Sequence, residues 1–259
     1  MNDLSTPSGS SAFQANATGY AETMAPSLRA VAAEVVRRAD LQARQRVLDI
    51  GSGTGIAAAA AVGGDRTVMG VDGAAAMLEI ARREVPGATF KVMDFQHLAF
   101  EDAAWDVAIS SHALLFADDP VAALREWRRV VRAGGRISLS VPGPGGRTPS
   151  ALYGAIYERW GISRGLDYPT EEILGGWGAA AGWGELDVAA DASMAIQLPD
   201  EAAFAVWRNT GSRAGVTAGF SDEQHAALTA EMLAITPREA DGSLRIPFGA
   251  LYLAAVNPA

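Results

Sequence analysis

Residues Val47 to Gly55 read VLDIGSGTG, and they hold the densest set of residues suited to binding chemistry. Val47, Leu48 and Ile50 have the unbroken apolar character of a strand covered on both faces of a parallel sheet. Gly51, Gly53 and Gly55 follow at alternate positions, where a chain without Cβ atoms can turn sharply and let a ligand approach its backbone. The alanine-rich run from Ile56 to Val62 predicts a helix whose free N–H groups point back at this loop. Strand, bare loop and helix N-terminus together predict a nucleotide-type pocket. Asp72 ends a second apolar run, Val68 to Asp72, roughly 20 residues beyond the loop, where nucleotide-binding folds place a carboxylate for ribose hydroxyls. Further along, Asp94 closes a third run, and His112 follows a fourth.

The glycine spacing is G-x-G-x-G, whereas dinucleotide oxidoreductases carry G-x-G-x-x-G. No Lys follows a Tyr in the Tyr-x-x-x-Lys arrangement of a proton relay, which also speaks against an NAD-dependent oxidoreductase. With Asp49 at the strand end, the stretch resembles motif I of the class I S-adenosylmethionine-dependent methyltransferases, hhD-h-G-x-G-x-G. Ala74 to Arg82 (AAAMLEIAR) is similar to the x-x-M-L-x-x-A-R helix of that family, and Val92-Met93-Asp94-Phe95 to its third-strand motif. Glu126 to Gly135 (EWRRVVRAGG) resembles the E-x-x-R-V-L-x-P-G-G phrase of the ubiquinone/menaquinone C-methyltransferase-like small-molecule branch, with Val131 and Ala133 departing from it. The resemblance covers about Tyr20 to Val141. Beyond that it is architectural.

The resemblance implies S-adenosyl-L-methionine as cofactor and S-adenosyl-L-homocysteine as product. It implies cofactor contacts at Tyr20, Asp49, Gly51, Ser52, Gly53, Gly55, Asp72, Gly73, Met77, Asp94, Phe95, Ser110 and Ser111. Asp72 takes the ribose hydroxyls, Met77 packs on the adenine face, and Asp94 accepts from the adenine amino group. The backbone N–H of Phe95 meets a ring nitrogen, and Tyr20 belongs to an N-terminal lid. Methyl transfer from a sulfonium needs alignment and exclusion of water, and a base only where the acceptor must lose a proton. His112, after the fourth strand, is the candidate base, since a neutral imidazole titrates near pH 7. Phe13, Tyr153, Tyr157, Phe204, Trp207 and Arg208 are the candidate acceptor-side residues. Arg147 and Arg213 are further candidates for an anionic group, and Trp160 and Tyr168 belong to the same aromatic set. At helical spacing, Tyr153, Tyr157 and Trp160 fit a core stripe as well as a pocket wall. Ser110-Ser111-His112-Ala113 stands where nucleic-acid N-methyltransferases carry Asp/Asn-Pro-Pro-Tyr, so methylation of DNA bases is not expected.

The elements that must position these residues alternate as strand and helix. Strands are expected at Arg46–Ile50, Thr67–Val71, Thr89–Met93, Asp106–Ser110 and Arg136–Val141. Helices are expected at Pro26–Ala39, Gly55–Val62, Ala74–Arg83 and Pro120–Arg132, with Gly134-Gly135 as the stop of the last. This implies an α/β fold with a doubly wound, mostly parallel sheet. The resemblance extends it to seven strands, the last, Ile246–Val256, antiparallel. Helices at Pro149–Trp160, Glu171–Ala181, Asp200–Asn209 and Asp222–Ile235 and an extended segment at Glu185–Leu198 make up the remainder. One domain is expected over residues 20–259, with helical substrate-side elaborations at about 143–182 and 199–243, behind a flexible N-terminal tail over residues 1–19.

The chain has 259 residues and a formal net charge of −9, which disfavours a nucleic-acid partner because phosphate binding needs clustered positive charge. There is no cysteine, and the three histidines are not clustered, so neither a disulfide nor a metal site is expected. Met1 to Ser11 lacks the basic and apolar regions of a secretory signal, and no apolar run reaches membrane-spanning length. The expectation is a cytoplasmic monomer or homodimer acting on a small-molecule acceptor, with no membrane insertion. Oxygen or carbon is the expected methyl acceptor, nitrogen less so, with a role in secondary metabolism. The alternatives are a cofactor-binding cyclase or rearrangement enzyme of the same fold, an oxidoreductase, and a non-catalytic binding module.

Overall fold

The computed structural model describes residues 9–143, 149–162, 168–210, 217 and 219–259. Three helices lead the chain: α1 (Gly9–Ala15), α2 (Ala17–Thr23) and α3 (Ala25–Arg38). Then β1 (Arg46–Ile50), α4 (Ile56–Ala61), β2 (Thr67–Asp72), α5 (Ala75–Glu84), β3 (Thr89–Val92), β4 (Trp105–Ser111), α6 (Pro120–Val130) and β5 (Val131–Pro142) alternate as the apolar runs predict. The remainder comprises α7 (Pro149–Arg159), α8 (Glu171–Ala180), β6 (Gly184–Asp191), β7 (Ala195–Leu198), α9 (Glu201–Arg208), α10 (Asp222–Ile235), β8 (Leu244–Pro247) and β9 (Ala250–Val256). Seven strands form one sheet in the order β3-β2-β1-β4-β5-β9-β6. β9 runs antiparallel to both neighbours, while β1 pairs in parallel with β2 and β4, β2 with β3, and β4 with β5.

Alternation along the strands feeds two cores, one on each face. Val47, Val107, Ile109 and Tyr252 face the layer of Leu28, Val31 and Val35 on α3. Leu48, Ala108, Leu251 and Leu253 face the layer of Leu124 and Trp127 on α6 and Leu174 on α8. A sheet covered on both faces has its ligand-accessible edge at the carboxyl ends of the parallel strands, where the glycine loop, Asp72 and His112 all lie.

Several boundaries differ from the sequence reading. α6 stops at Val130 and its C-cap Val131 is already extended (φ −91°, ψ 131°), so Gly134-Gly135 is not the helix stop. Both glycines lie in β5, where the Gly134 N–H donates to the Asn257 carbonyl at 2.8 Å and the Asn257 N–H to the Gly135 carbonyl at 2.8 Å. A Cβ on Gly135 would come within 2.6 Å of the Asp106 carbonyl oxygen, so the close approach of β4 requires this glycine. The expected last strand divides at Phe248-Gly249: β8 leaves the main sheet to pair with β7, and only β9 joins β5. The expected extended segment divides in the same way, into β6 and β7.

The tail expected over residues 1–19 is helical from Gly9. It docks because Phe13 packs in a small apolar cluster with Ala17, Tyr20, Ala74, Met77 and Ile80. Gln14 adds a polar anchor, its Oε1 accepting from the Ala76 N–H at 3.0 Å at the start of α5. Among the described residues, no helix is long and apolar enough to cross a membrane.

Candidate cofactor and acceptor site

The loop after β1 holds Gly51, Gly53 and Gly55 at φ +68°, +53° and +83°, left-handed values that residues with a Cβ adopt only at a cost. Their surroundings differ. A Cβ on Gly51 would meet that of Ala113 at 2.2 Å, while one on Gly53 would meet nothing within 4 Å. Gly53 therefore opens onto free space above the loop.

Two carboxylates brace this loop. Asp49 is fully buried and accepts the Ala58 N–H, near the start of α4, at 2.9 Å. Burial, aided by the nearby Asp72 charge and opposed by the Ala58 bond, pushes its carboxyl up to about 7. Asp72 spans from strand to loop: Oδ2 accepts from Gly53 N–H at 2.9 Å and Oδ1 from Ala74 N–H at 2.8 Å. Burial raises its pKa against those two bonds. Each oxygen retains a lone pair for a further donor.

Asp94 lies just past β3 and is half-exposed, accepting Gln96 N–H at 2.9 Å on Oδ1 and facing His97 Nδ1 at 2.9 Å on Oδ2. Partial burial raises its pKa, but the His97 and Gln96 bonds outweigh that and hold it below the usual range. The adjoining backbone is pinned by Trp127, whose indole N–H donates to the Phe95 carbonyl at 2.8 Å. Phe95 packs edge-on against that same indole.

His112 ends the opposite wall, at φ +64° and 9% exposed. Its Nδ1 shares a hydrogen bond of 2.8 Å with Ser140 Oγ, and its ring stacks on Phe248 at 5.3 Å between centroids. Burial pushes the imidazole down to about 3, so the ring is neutral at pH 7. The fold thus keeps the ring in the unprotonated form while weakening its basicity relative to a free imidazole. Ser110 Oγ donates to the Ile50 carbonyl at 2.8 Å, tying β4 to β1 below the loop. Asp49 Oδ1, Ser52 Oγ, Thr54 Oγ1, Ser111 Oγ and His112 Nε2 are buried with no hydrogen-bond partner. Such atoms are costly to leave unmet, and their gathering around one loop fits a polar ligand.

Residues 48–139 match the family described as a methyltransferase domain. Aklanonic acid methyltransferase DauC of Streptomyces sp. (strain C5) is 35% identical over 106 residues, covering 38% of this chain and 48% of that protein. Demethylmenaquinone methyltransferase of Paenarthrobacter aurescens (strain TC1) is 31% identical over 106 residues, covering 41% and 42%. The matched segments thus span less than half the length of these curated relatives. Among solved structures, Haemonchus contortus phosphoethanolamine N-methyltransferase 2 superimposes with a TM-score of 0.65 at 19% identity, covering 98% of this chain and 61% of that one. The [4+2]-cyclase SpnF does so with a TM-score of 0.58 at 24% identity, covering 89% and 82%. Over residues 48–139 the chain is therefore similar to a methyltransferase domain. The glycine loop, Asp72, Asp94 and His112 all fall inside this matched segment.

Around the matched segment, the structure gathers some acceptor-side candidates and separates others. Phe13 stacks edge-on against Tyr20 (5.7 Å) and Phe116 (5.2 Å), so α1 and α2 strap the wall between α5 and the turn after His112. Met77 is buried beneath that strap. Tyr153, Phe204 and Trp207 are fully buried in the α3-side core. The Tyr153 hydroxyl lies 2.8 Å from Thr236 Oγ1, and the Trp207 indole N–H donates to Met24 Sδ at 3.0 Å. These three side chains, from α7 and α9, pack in the core. Tyr157 lies partly buried beside Tyr153. Arg208 is buried on α9, Trp160 stacks at a tilt on Phe220, and Tyr168 is half-buried. Arg147 and Arg213 lie outside the described residues. Ser140, Phe248, Ala113 and Gln14 were not foreseen, because nothing in their local sequence reports a partner distant along the chain.

Proposed function

We propose that this chain is an S-adenosylmethionine-dependent methyltransferase that transfers a methyl group to oxygen or carbon of a small-molecule acceptor. One observation carries this reading: the open face at Gly53, the Asp72 brace and the unmet buried polar atoms converge on a single loop. When bound, S-adenosylmethionine supplies an activated methyl group on a sulfonium. The Gly51–Gly55 backbone and the start of α4 hold it, Asp72 takes its ribose hydroxyls, and Asp94 with the Phe95 N–H takes its adenine. Met77 and Tyr20 cover the apolar face, and the Phe13 strap excludes water. Asp49, poised near neutrality, becomes a carboxylate when a cation is placed beside it.

His112 is neutral and held by Ser140 and Phe248. Its buried, unpartnered Nε2 supports a role in orienting an acceptor hydroxyl, and an imidazole this acidic returns any proton it takes at once. Alignment is therefore its role rather than storage of the proton. Relatives named for aklanonic acid and demethylmenaquinone support a small organic acceptor in biosynthesis, and the net charge of −9 supports the same choice over a nucleic acid.

The experiment is calorimetric titration with S-adenosylmethionine, followed by mass spectrometry of reactions with phenolic and enolic acceptors. The expected result is cofactor binding, with S-adenosylhomocysteine rising in step with methylated acceptor. No cofactor binding ends the proposal. Turnover of an acceptor without S-adenosylhomocysteine selects a cyclase or rearrangement reaction, a possibility raised by a fold shared with SpnF.

A further inference from the structure

Helix α9 carries Phe204, Trp207 and Arg208 on its buried stripe, so a guanidinium stands where the helical period calls for an apolar side chain. Arg208 is 4% exposed. Its Nη2 donates to His225 Nδ1 on α10 at 2.8 Å, but Nε and Nη1 are buried with no partner. Arginine has no acceptor, so His225 Nδ1 must accept and the neutral ring carries its proton on Nε2, a further donor. Among the described residues no carboxylate pairs with Arg208, and two acids of these helices are engaged elsewhere. Glu231 pairs with Arg159, and Glu201 with Arg238. A buried cation with unmet donors is an unstable arrangement unless an anion completes it.

Arg208 and His225 open onto a cavity of about 390 Å³ between α9 and α10, within the size range of small-molecule sites. Ala226, Ala230 and Leu233 line it along α10, and Thr229 adds a hydroxyl. Arg208 is the sole Lys or Arg among its lining residues. One cation and apolar walls suit a singly charged group on an apolar body better than a phosphate dianion, the more so in a chain of net charge −9.

We propose that the α9–α10 groove is a binding site for an organic monoanion, its carboxylate held by Arg208 and its apolar body lying along Ala226, Ala230 and Leu233. This does not depend on methyl transfer, since the groove shares no residue with the glycine loop.

The test is calorimetric titration of the full chain with hexanoate, hexanamide and inorganic phosphate, with S-adenosylmethionine titrated in parallel as a separate readout. Hexanoate is expected to bind about tenfold or more tighter than hexanamide, and tighter than phosphate. Arg208→Gln should erase the preference for hexanoate. Ala230→Trp, at an exposed position lining the groove, should abolish hexanoate binding. Equal binding of hexanoate and hexanamide to the natural chain overturns the proposal even if Arg208→Gln fails to fold. So does hexanoate binding unchanged in a folded Arg208→Gln chain, and tighter binding of phosphate overturns the monoanion class.

Discussion

Gly51 stands against Ala113 so closely that a Cβ there would sit 2.2 Å from the Ala113 methyl carbon, whereas two residues on, Gly53 faces open space. Both glycines have positive φ, so the backbone argument for them is the same. Their neighbours differ: Gly51 is required by the protein's own packing between β1 and β4, and Gly53 by room kept above the loop.

Alanine scanning separates the two. Gly51→Ala combines left-handed strain of about 1–2 kcal/mol with a core overlap of about 1–3 kcal/mol, and chemical denaturation should record their sum. Gly53→Ala carries only the strain, about 1–2 kcal/mol, and should fold. Its added methyl enters the open space, so titration with S-adenosylmethionine should show affinity lost beyond any loss of stability. Full affinity in Gly53→Ala places the cofactor elsewhere.

In the proposed reading Asp72 serves both loop and ribose, its two oxygens each already accepting one backbone N–H. In Asp72→Asn the amide NH₂ must face one of those N–H groups, so a donor meets a donor. The variant should lose stability through the loop and cofactor affinity through the ribose, the latter by about 1–3 kcal/mol. Asp72→Ala should show the same affinity loss. Denaturation and calorimetry read the two losses separately, and unaltered affinity would mean that β2 does not contribute the ribose acceptor.

Acid stability tests His112. Its pKa is about 3 in the fold against an ordinary 6.5, so between those values the folded chain binds fewer protons than the unfolded one. The contribution is complete above pH 6.5 and is lost as pH falls toward 3, by about 2–3 kcal/mol at pH 4.5. Asp49 acts in the opposite sense. Raised to about 7, it stabilises fully below its ordinary 3.8, and that benefit is lost as pH rises through 7. Urea midpoints from pH 4 to 8 should therefore flatten on the acid side in His112→Asn, a residue that tolerates φ +64°. Parallel acid limbs in the two proteins would mean that His112 is hydrated.

The strands around the site were readable because strands covered on both faces need continuous apolar runs, and Val47–Ile50 and Val68–Val71 are such runs. The positions of Asp72 and Asp94 at strand ends were readable because each closes an apolar run. His112 was readable in place but not in state: its partner Ser140 is 28 residues away and its stacking ring, Phe248, much further. The polar composition of the first residues suggested disorder, yet Phe13 and Gln14 dock on α5, since a few well-placed contacts suffice where a surface is preformed. The burial of Arg208 was not readable for a related reason. A charged residue at the end of a helix reads as solvated, and only the packing of α10 against α9 buries it.

The aromatic stripe poses the remaining choice between pocket wall and core. Phe204 is fully buried, 6.3 Å from the Tyr153 ring and 5.4 Å from that of Trp207. Phe204→Ala removes a whole ring from a packed interior and should cost about 3–5 kcal/mol of stability, measured by urea denaturation. A wall residue behaves otherwise, with stability nearly intact and KM for the acceptor raised. Below the melting transition, the variant's affinity for S-adenosylmethionine should match that of the natural chain, because the Phe204 ring packs on Tyr153 and Trp207 and not on Asp72 or Gly53. A large rise in KM at unchanged stability would return the stripe to the acceptor pocket.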